Sequence, residues 1–183
     1  SVLKSIKDGY GFIILRGLDD LKNDDLIKIF YKFLCEKIGK VLYQDSKKTT
    51  FYPVFNEGLS MGEGGRYSRS SDSGSFHTDN PSETNVPDLV GLLSLKEALK
   101  GGLSCIVNIF LVIEELYDNY PELAYLLEDN FKFTRKNNLD DDKQINLFPI
   151  LSFEESFSFR YLSDYINTVD ESIEKLKILK LLD

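Results

Sequence analysis

Apolar runs of strand length, separated by Gly, Pro, Asn and Asp, recur along this chain and constrain its fold more than any other feature. Residues 10–16, 41–44, 50–55, 75–78, 88–95, 103–108, 131–135, 146–152 and 157–161 each read as a strand, because β-branched and aromatic side chains between turn residues favour extended backbone. Helical spacing is confined to fewer places. Leu26, Ile27, Phe30, Phe33, Leu34 and Ile38 follow the 3.6-residue period of an amphipathic helix over 21–38, with Gly39 placed to cap it. That helix is expected to pack on a sheet. Further helices are predicted over 110–119, over 121–129 with Pro121 at the first position, and from about 170 to the end. The layout is mainly β with flanking helices. No internal repeat or linker divides residues 1–183, so a single domain is expected.

Composition narrows the classes of function. With 183 residues, 42% hydrophobic and 13% aromatic, the chain can bury a sizeable core. Its formal charge of −8 opposes a nucleic-acid or anionic-membrane partner, since either would be repelled by the average field. Cys35 and Cys105 lie in apolar segments and make no disulfide framework, so buried thiols in a reducing cytoplasm are expected. No stretch is apolar and long enough to span a bilayer, and the N-terminus lacks a signal-peptide pattern. The chain begins at Ser1 without an initiator Met, so upstream sequence is expected to have been removed or left out.

Chemistry points to the only histidine, in Phe76-His77-Thr78-Asp79. On a strand, residues two apart share a face, so His77 and Asp79 would stand side by side. An imidazole and a carboxylate so placed are two of the three donors of a facial non-haem iron site, which needs two His and one carboxylate. An Asp two positions after a His is common by chance, so the pair draws its weight from context. Other motifs fail in context. Gly58-Leu59-Ser60-Met61-Gly62 matches a nucleophile elbow, but no helix follows Ser60 and the sole His lies too close downstream. Gly62, Gly64 and Gly65 lack the Gly-Lys-Ser/Thr and the helix of a phosphate loop. Two isolated cysteines and one His do not make a structural zinc site. Residues 56–75, rich in Gly and Ser, read as a long loop beside a site. The acidic stretch 137–143 reads as a solvated loop or hairpin.

The order of segments resembles a known family. Gly11-Phe12-Ile13-Ile14-Leu15-Arg16-Gly17-Leu18, Ser75-Phe76-His77-Thr78-Asp79, Pro87-Asp88 with Leu92-Leu93-Ser94-Leu95, and Ala98-Leu99-Lys100-Gly101-Gly102-Leu103-Ser104 follow one another. Pro121-Glu122-Leu123, Phe131 to Arg135, Ser158-Phe159-Arg160-Tyr161 and Tyr165-Ile166 complete the series. It is similar to the taurine-dioxygenase and clavaminate-synthase-like iron(II), 2-oxoglutarate-dependent oxygenases over nearly the whole chain. His77-x-Asp79 and Gly101-Gly102-x-Ser104 are its most specific parts.

The resemblance implies a double-stranded β-helix, or cupin-like jelly roll, incomplete in this chain, with His77 and Asp79 as metal ligands to Fe(II). 2-Oxoglutarate would be the co-substrate, O2 the oxidant, and the Ser104 hydroxyl a hydrogen-bond partner of the co-substrate. The retained Asp79 points to hydroxylation, desaturation or a related oxidation, because halogenating relatives replace the carboxylate to admit halide. The family's distal His and 2-oxoglutarate Arg have no counterpart here, and the chain stops at Asp183. Missing C-terminal sequence is therefore expected, ahead of a split or degenerate protein. Leu176, Ile178, Leu179, Leu181 and Leu182 would otherwise expose an apolar face, which a homo-oligomer or a partner chain would cover.

Arg66, Ser68 and Arg69 in the long loop, with Arg160 and Tyr161, are candidates to bind a carboxylate or sulfonate on a small polar substrate. Surface ion pairs and loop hydrogen bonds are the competing account of each. Asn80 and Asn108 could orient ligands or simply make turns. The alternative to an oxygenase is an inactive relative that binds a ligand or a protein partner.

Overall fold

The computed structural model describes residues 1–18, 23–44, 47–56, 58, 74–134, 145–154 and 156–183. Two compact units are present: Ser1–Tyr52 with Leu89–Asn108, and Pro53–Asp88 with Ile109–Asp183.

The first unit is built around helices α1 (Val2–Lys7) and α2 (Asp24–Ile38). Asn23 starts α2 by accepting hydrogen bonds from the N–H groups of Asp25 (2.9 Å) and Leu26 (3.2 Å), so the polar cap, rather than the upstream Leu21, sets the boundary. Asp24 and Asp25 in the first turn and Lys37 in the last complement the helix dipole. The helix ends at Gly39, whose N–H donates to the Cys35 carbonyl (3.0 Å) from extended backbone at φ −170°. The left-handed cap expected of that glycine is not formed. Leu26, Ile29, Phe30 and Phe33 remain exposed, and α2 buries no residue. Cys35 is half-buried and Cys105 is exposed, which corrects the expectation that both thiols are buried.

Among the described residues, 10–16, 41–44, 50–55, 88–95 and 103–108 carry no ladder. An apolar run specifies extended chain, but a strand also needs a partner edge to take its N–H and C=O groups.

The second unit has a defined core. Helix α3 (Ile109–Asn119) turns at Tyr120 into α4 (Pro121–Ala124), and a 3-10 turn (Tyr125–Glu128) leads into strand β1 (Asn130–Thr134). Pro121 suits the first helical position because that N–H has no partner within the helix. Strand β2 (Ile145–Pro149) pairs antiparallel with β1, Phe131 opposite Phe148 and Phe133 opposite Asn146. Period-2 alternation sends Phe131 and Phe133 fully into the core while Lys132 stays on the other face. Ile150 breaks the expected 146–152 strand, and β3 (Leu151–Ser152) pairs instead with β4 (Ser158–Phe159).

Helix α5 (Ile173–Leu182) is capped by Ser172, whose Oγ accepts from the Lys175 N–H (3.2 Å). It buries Ile178 and Leu179 with Leu116, Ala124, Leu127, Phe131, Phe133, Ile150, Leu151, Tyr161 and Ile166. The Lys175 ammonium lies 4.5 Å from the centre of the Phe131 ring and donates to the Asn130 carbonyl (2.9 Å). The described strands thus form two two-stranded sheets. No helix among the described residues is long and apolar enough to cross a membrane.

Candidate metal centre

His77 and Asp79 come together as expected, by a different route. Residues 74–80 form no strand, yet His77 Nε2 stands 3.7 Å from Asp79 Oδ1. Between them, the Thr78 N–H donates to the Tyr161 carbonyl (2.7 Å), and the Tyr161 N–H donates to Thr78 Oγ1 (2.9 Å). In an antiparallel ladder the second bond would go to the Thr78 carbonyl. The hydroxyl takes that place, so the contact fixes Thr78 without starting a strand.

The imidazole is oriented by its own backbone. His77 Nδ1 lies 2.7 Å from the Ser75 carbonyl oxygen; a carbonyl only accepts, so this bond assigns a proton to Nδ1 and makes Nε2 the ring nitrogen that could serve as a metal donor. A second hydrogen bond of this kind is how metal-binding histidines are held in one tautomer. The side chains of His77 and Asp79 are 34% and 46% exposed, so the pair is open to small ions and ligands.

Adjacent donors on one face of an octahedral ion, at about 2.1 Å each, stand about 3.0 Å apart, so the 3.7 Å gap has to narrow before both reach one ion. Nitrogen and oxygen donors of this type suit iron as well as other first-row metals. By donor type and proximity the pair suits part of a facial donor set, with a small rotation of the exposed side chains closing the gap. Among the described residues, no group of three or more His, Cys, Asp or Glu side chains could hold a metal.

The loop after Asp79 is tied down closely. Asn80 has φ +52°, a left-handed turn that Asn tolerates better than most residues, and its carbonyl accepts from the Glu83 N–H (3.0 Å). Pro81 and Ser82 are buried. The Asn146 amide of β2 donates to the Ser82 carbonyl (2.8 Å). Arg160 donates through Nη1 to the Glu83 carbonyl (2.5 Å) and through Nη2 to the Thr84 carbonyl (3.3 Å), with its guanidinium 4.3 Å from the centre of the Phe148 ring. Burial lowers the Arg160 pKa from its ordinary value, and these carbonyls and the ring face compensate for lost water.

Tyr161 is buried, and its phenol donates to the Asp183 carboxylate (2.5 Å), with the Leu179 carbonyl 3.3 Å away. Burial first, and then Asp183, raises its pKa far above that of free tyrosine. Arg160 and Tyr161, expected beside a substrate, thus have their polar groups in contact with this loop and with α5. Sequence reasoning missed Thr78, Asn146 and Asp183, and it had no signal for the Glu83 and Thr84 carbonyls, which act whatever the side chain.

Ser104 is exposed and lies in the first unit. Gly101 and Gly102, just before it, have φ +77° and +74°, the left-handed region that explains two consecutive glycines. Asn108 is exposed. Arg66, Ser68 and Arg69, most of the 56–75 loop, Arg135 and the acidic 137–143 stretch lie outside the described residues.

A family model described as taurine catabolism dioxygenase TauD, TfdA family, matches residues 1–174. No curated protein and no solved structure gives a significant match. Members of the matched family are 2-oxoglutarate-dependent dioxygenases that use iron(II) and O2, and their fold is a cupin-like jelly roll. With all but the last residues of the chain inside that match, this protein belongs to the TauD/TfdA dioxygenase family.

Proposed function

We propose that this chain forms part of an iron(II)- and 2-oxoglutarate-dependent oxygenase acting on a small polar, carboxylate-bearing molecule, with His77 and Asp79 as two of the protein ligands. The observation that carries the reading is the His77–Asp79 pair at 3.7 Å with the imidazole proton assigned to Nδ1. Family membership supports the cofactor. Iron, 2-oxoglutarate and O2 together supply the oxidant for a substrate C–H bond, one oxygen atom passing to substrate and the other to succinate as carbon dioxide leaves.

The chain's own residues would bind and orient. His77 would bind through Nε2, and the Asp79 carboxylate would offset part of the metal's charge. Ser104 would donate to the co-substrate, and Arg66 and Ser68 would meet the substrate carboxylate. The contacts of Arg160 and Tyr161 favour support of the metal loop over substrate binding. With one histidine in the sequence, these residues would supply one imidazole to a two-His facial set. The strand-length runs of the first unit would then find partners in a completed double-stranded β-helix. The free cysteines suit a reducing cytoplasm.

The test is succinate formation from 2-oxoglutarate under air with iron(II), measured with and without added free imidazole as a surrogate third ligand. Turnover that imidazole increases, and that His77→Ala and Asp79→Ala each remove, is expected. Turnover unchanged in the double variant would overturn the site, and none under any condition would overturn the enzyme.

A further inference from the structure

Thr78 sits between the two metal ligands, and what holds it lies 83 positions away. Both ligand side chains are substantially exposed, so packing alone does not hold their 3.7 Å juxtaposition. Order has to come through the backbone. One dipeptide at the end of β4 supplies it at two points. Tyr161 exchanges hydrogen bonds with the N–H and hydroxyl of Thr78, while Arg160, pointing elsewhere, spans the Glu83 and Thr84 carbonyls beyond Asp79. Asn146 grips Ser82 between those carbonyls and the metal pair. The holding residues are themselves fixed: Tyr161 is 3% exposed, and the Arg160 N–H donates to the buried Ile150 (2.8 Å).

We infer that Arg160-Tyr161 is the positioning element of the metal pair and that the Thr78 hydroxyl is the contact through which it acts. Thr78 is thus a positioning residue rather than a spacer between ligands. This inference rests on the metal reading of His77 and Asp79. Its chemistry is that of outer-shell support: partners that orient ligands typically change metal affinity 10–100-fold when removed.

Two readouts test it without catalytic turnover. Cobalt(II) is titrated anaerobically into the wild type, Thr78→Val, which keeps the shape and loses the hydroxyl, Thr78→Ser, which keeps the hydroxyl, and His77→Ala. In parallel, nitrogen–proton correlation spectra of the single histidine report its tautomer. About a tenfold or greater loss of cobalt affinity in Thr78→Val, with near wild-type affinity in Thr78→Ser, is expected. The Nδ1-protonated tautomer should dominate in the wild type and give way to a mixture in Thr78→Val.

Wild-type affinity and tautomer in Thr78→Val, or equal loss in Thr78→Ser, would overturn the inference. Loss of cobalt in His77→Ala beside an unaffected Thr78→Val removes the positioning role alone. Cobalt binding unaffected by His77→Ala removes the metal reading as well. Arg160→Lys, which keeps the charge but not the two-pronged fork, is the second variant should Thr78→Val not fold. It too should weaken cobalt binding, and unchanged affinity there would count against the positioning element.

Discussion

The phenol of Tyr161 donates a 2.5 Å hydrogen bond to the carboxylate of Asp183, 22 positions further on. This bond joins the strand end that holds Thr78 to the last turn of α5. The same residue therefore links the His77–Asp79 loop, through its backbone, to the C-terminal helix, through its side chain.

Removing that phenol should loosen the helix. Tyr161→Phe leaves the Asp183 carboxylate without this donor, and a hydrogen bond to a charged group contributes about 1.5–3 kcal/mol. A loss of that order in urea unfolding is expected, and a change below about 0.5 kcal/mol would show that the bond adds nothing.

Alkaline pH should weaken the fold. Burial is the first cause that raises the pKa of Tyr161, Tyr117 and Tyr31, the last to about 12. A neutral phenol is thus favoured in the folded state. The stability contribution is complete below the free tyrosine pKa of about 10 and is lost as pH rises through the folded values. Unfolding midpoints should fall above about pH 10, and more shallowly in Tyr161→Phe. A midpoint independent of pH there would contradict the burial of these phenols.

The β1 alternation predicts opposite outcomes for two apolar residues. Phe133 is fully buried and Leu147 is 57% exposed. Phe133→Ala should cost about 3–5 kcal/mol through lost burial and a residual cavity, whereas Leu147→Ala should stay within about 0.5 kcal/mol. Similar costs for both would contradict this difference in burial, and a reversed order would mean that the β1–β2 hairpin faces the other way.

Arg160 gives a prediction on stability and on reaction together. Arg160→Met removes the donors to Glu83 and Thr84 and should destabilise by about 1–3 kcal/mol. As a positioning residue it should weaken iron binding without changing the KM for substrate once iron is saturating. A raised KM at saturating iron and unchanged stability would return Arg160 to the substrate side.

The sequence was most readable where structure is local. The spacing that predicted helices over 110–119 and 121–129, and a strand over 131–135, reappears in α3, α4 with its 3-10 turn, and β1, because these elements are made by neighbours in the chain. The runs at 10–16 and 103–108 have the same apolar character, but their ladders would depend on distant partners that composition does not name. The candidate site divides the same way. His77 and Asp79 were legible from two-residue spacing, while the tether to Tyr161 was not, since an 83-residue separation and a hydroxyl standing in for a carbonyl leave no local pattern. Arg160 stood out as a charged residue among aromatics, but its carbonyl partners have no residue signature, so its role was read towards substrate.

The most direct test of the central claim is anaerobic equilibrium dialysis of iron(II) against the wild type, His77→Ala, Asp79→Ala and Asp79→Asn, with folding checked by circular dichroism. The account predicts specific iron binding by the wild type, strengthened by 2-oxoglutarate, and its loss in all three variants while the fold persists. Equal iron binding by the wild type and the folded variants would contradict it.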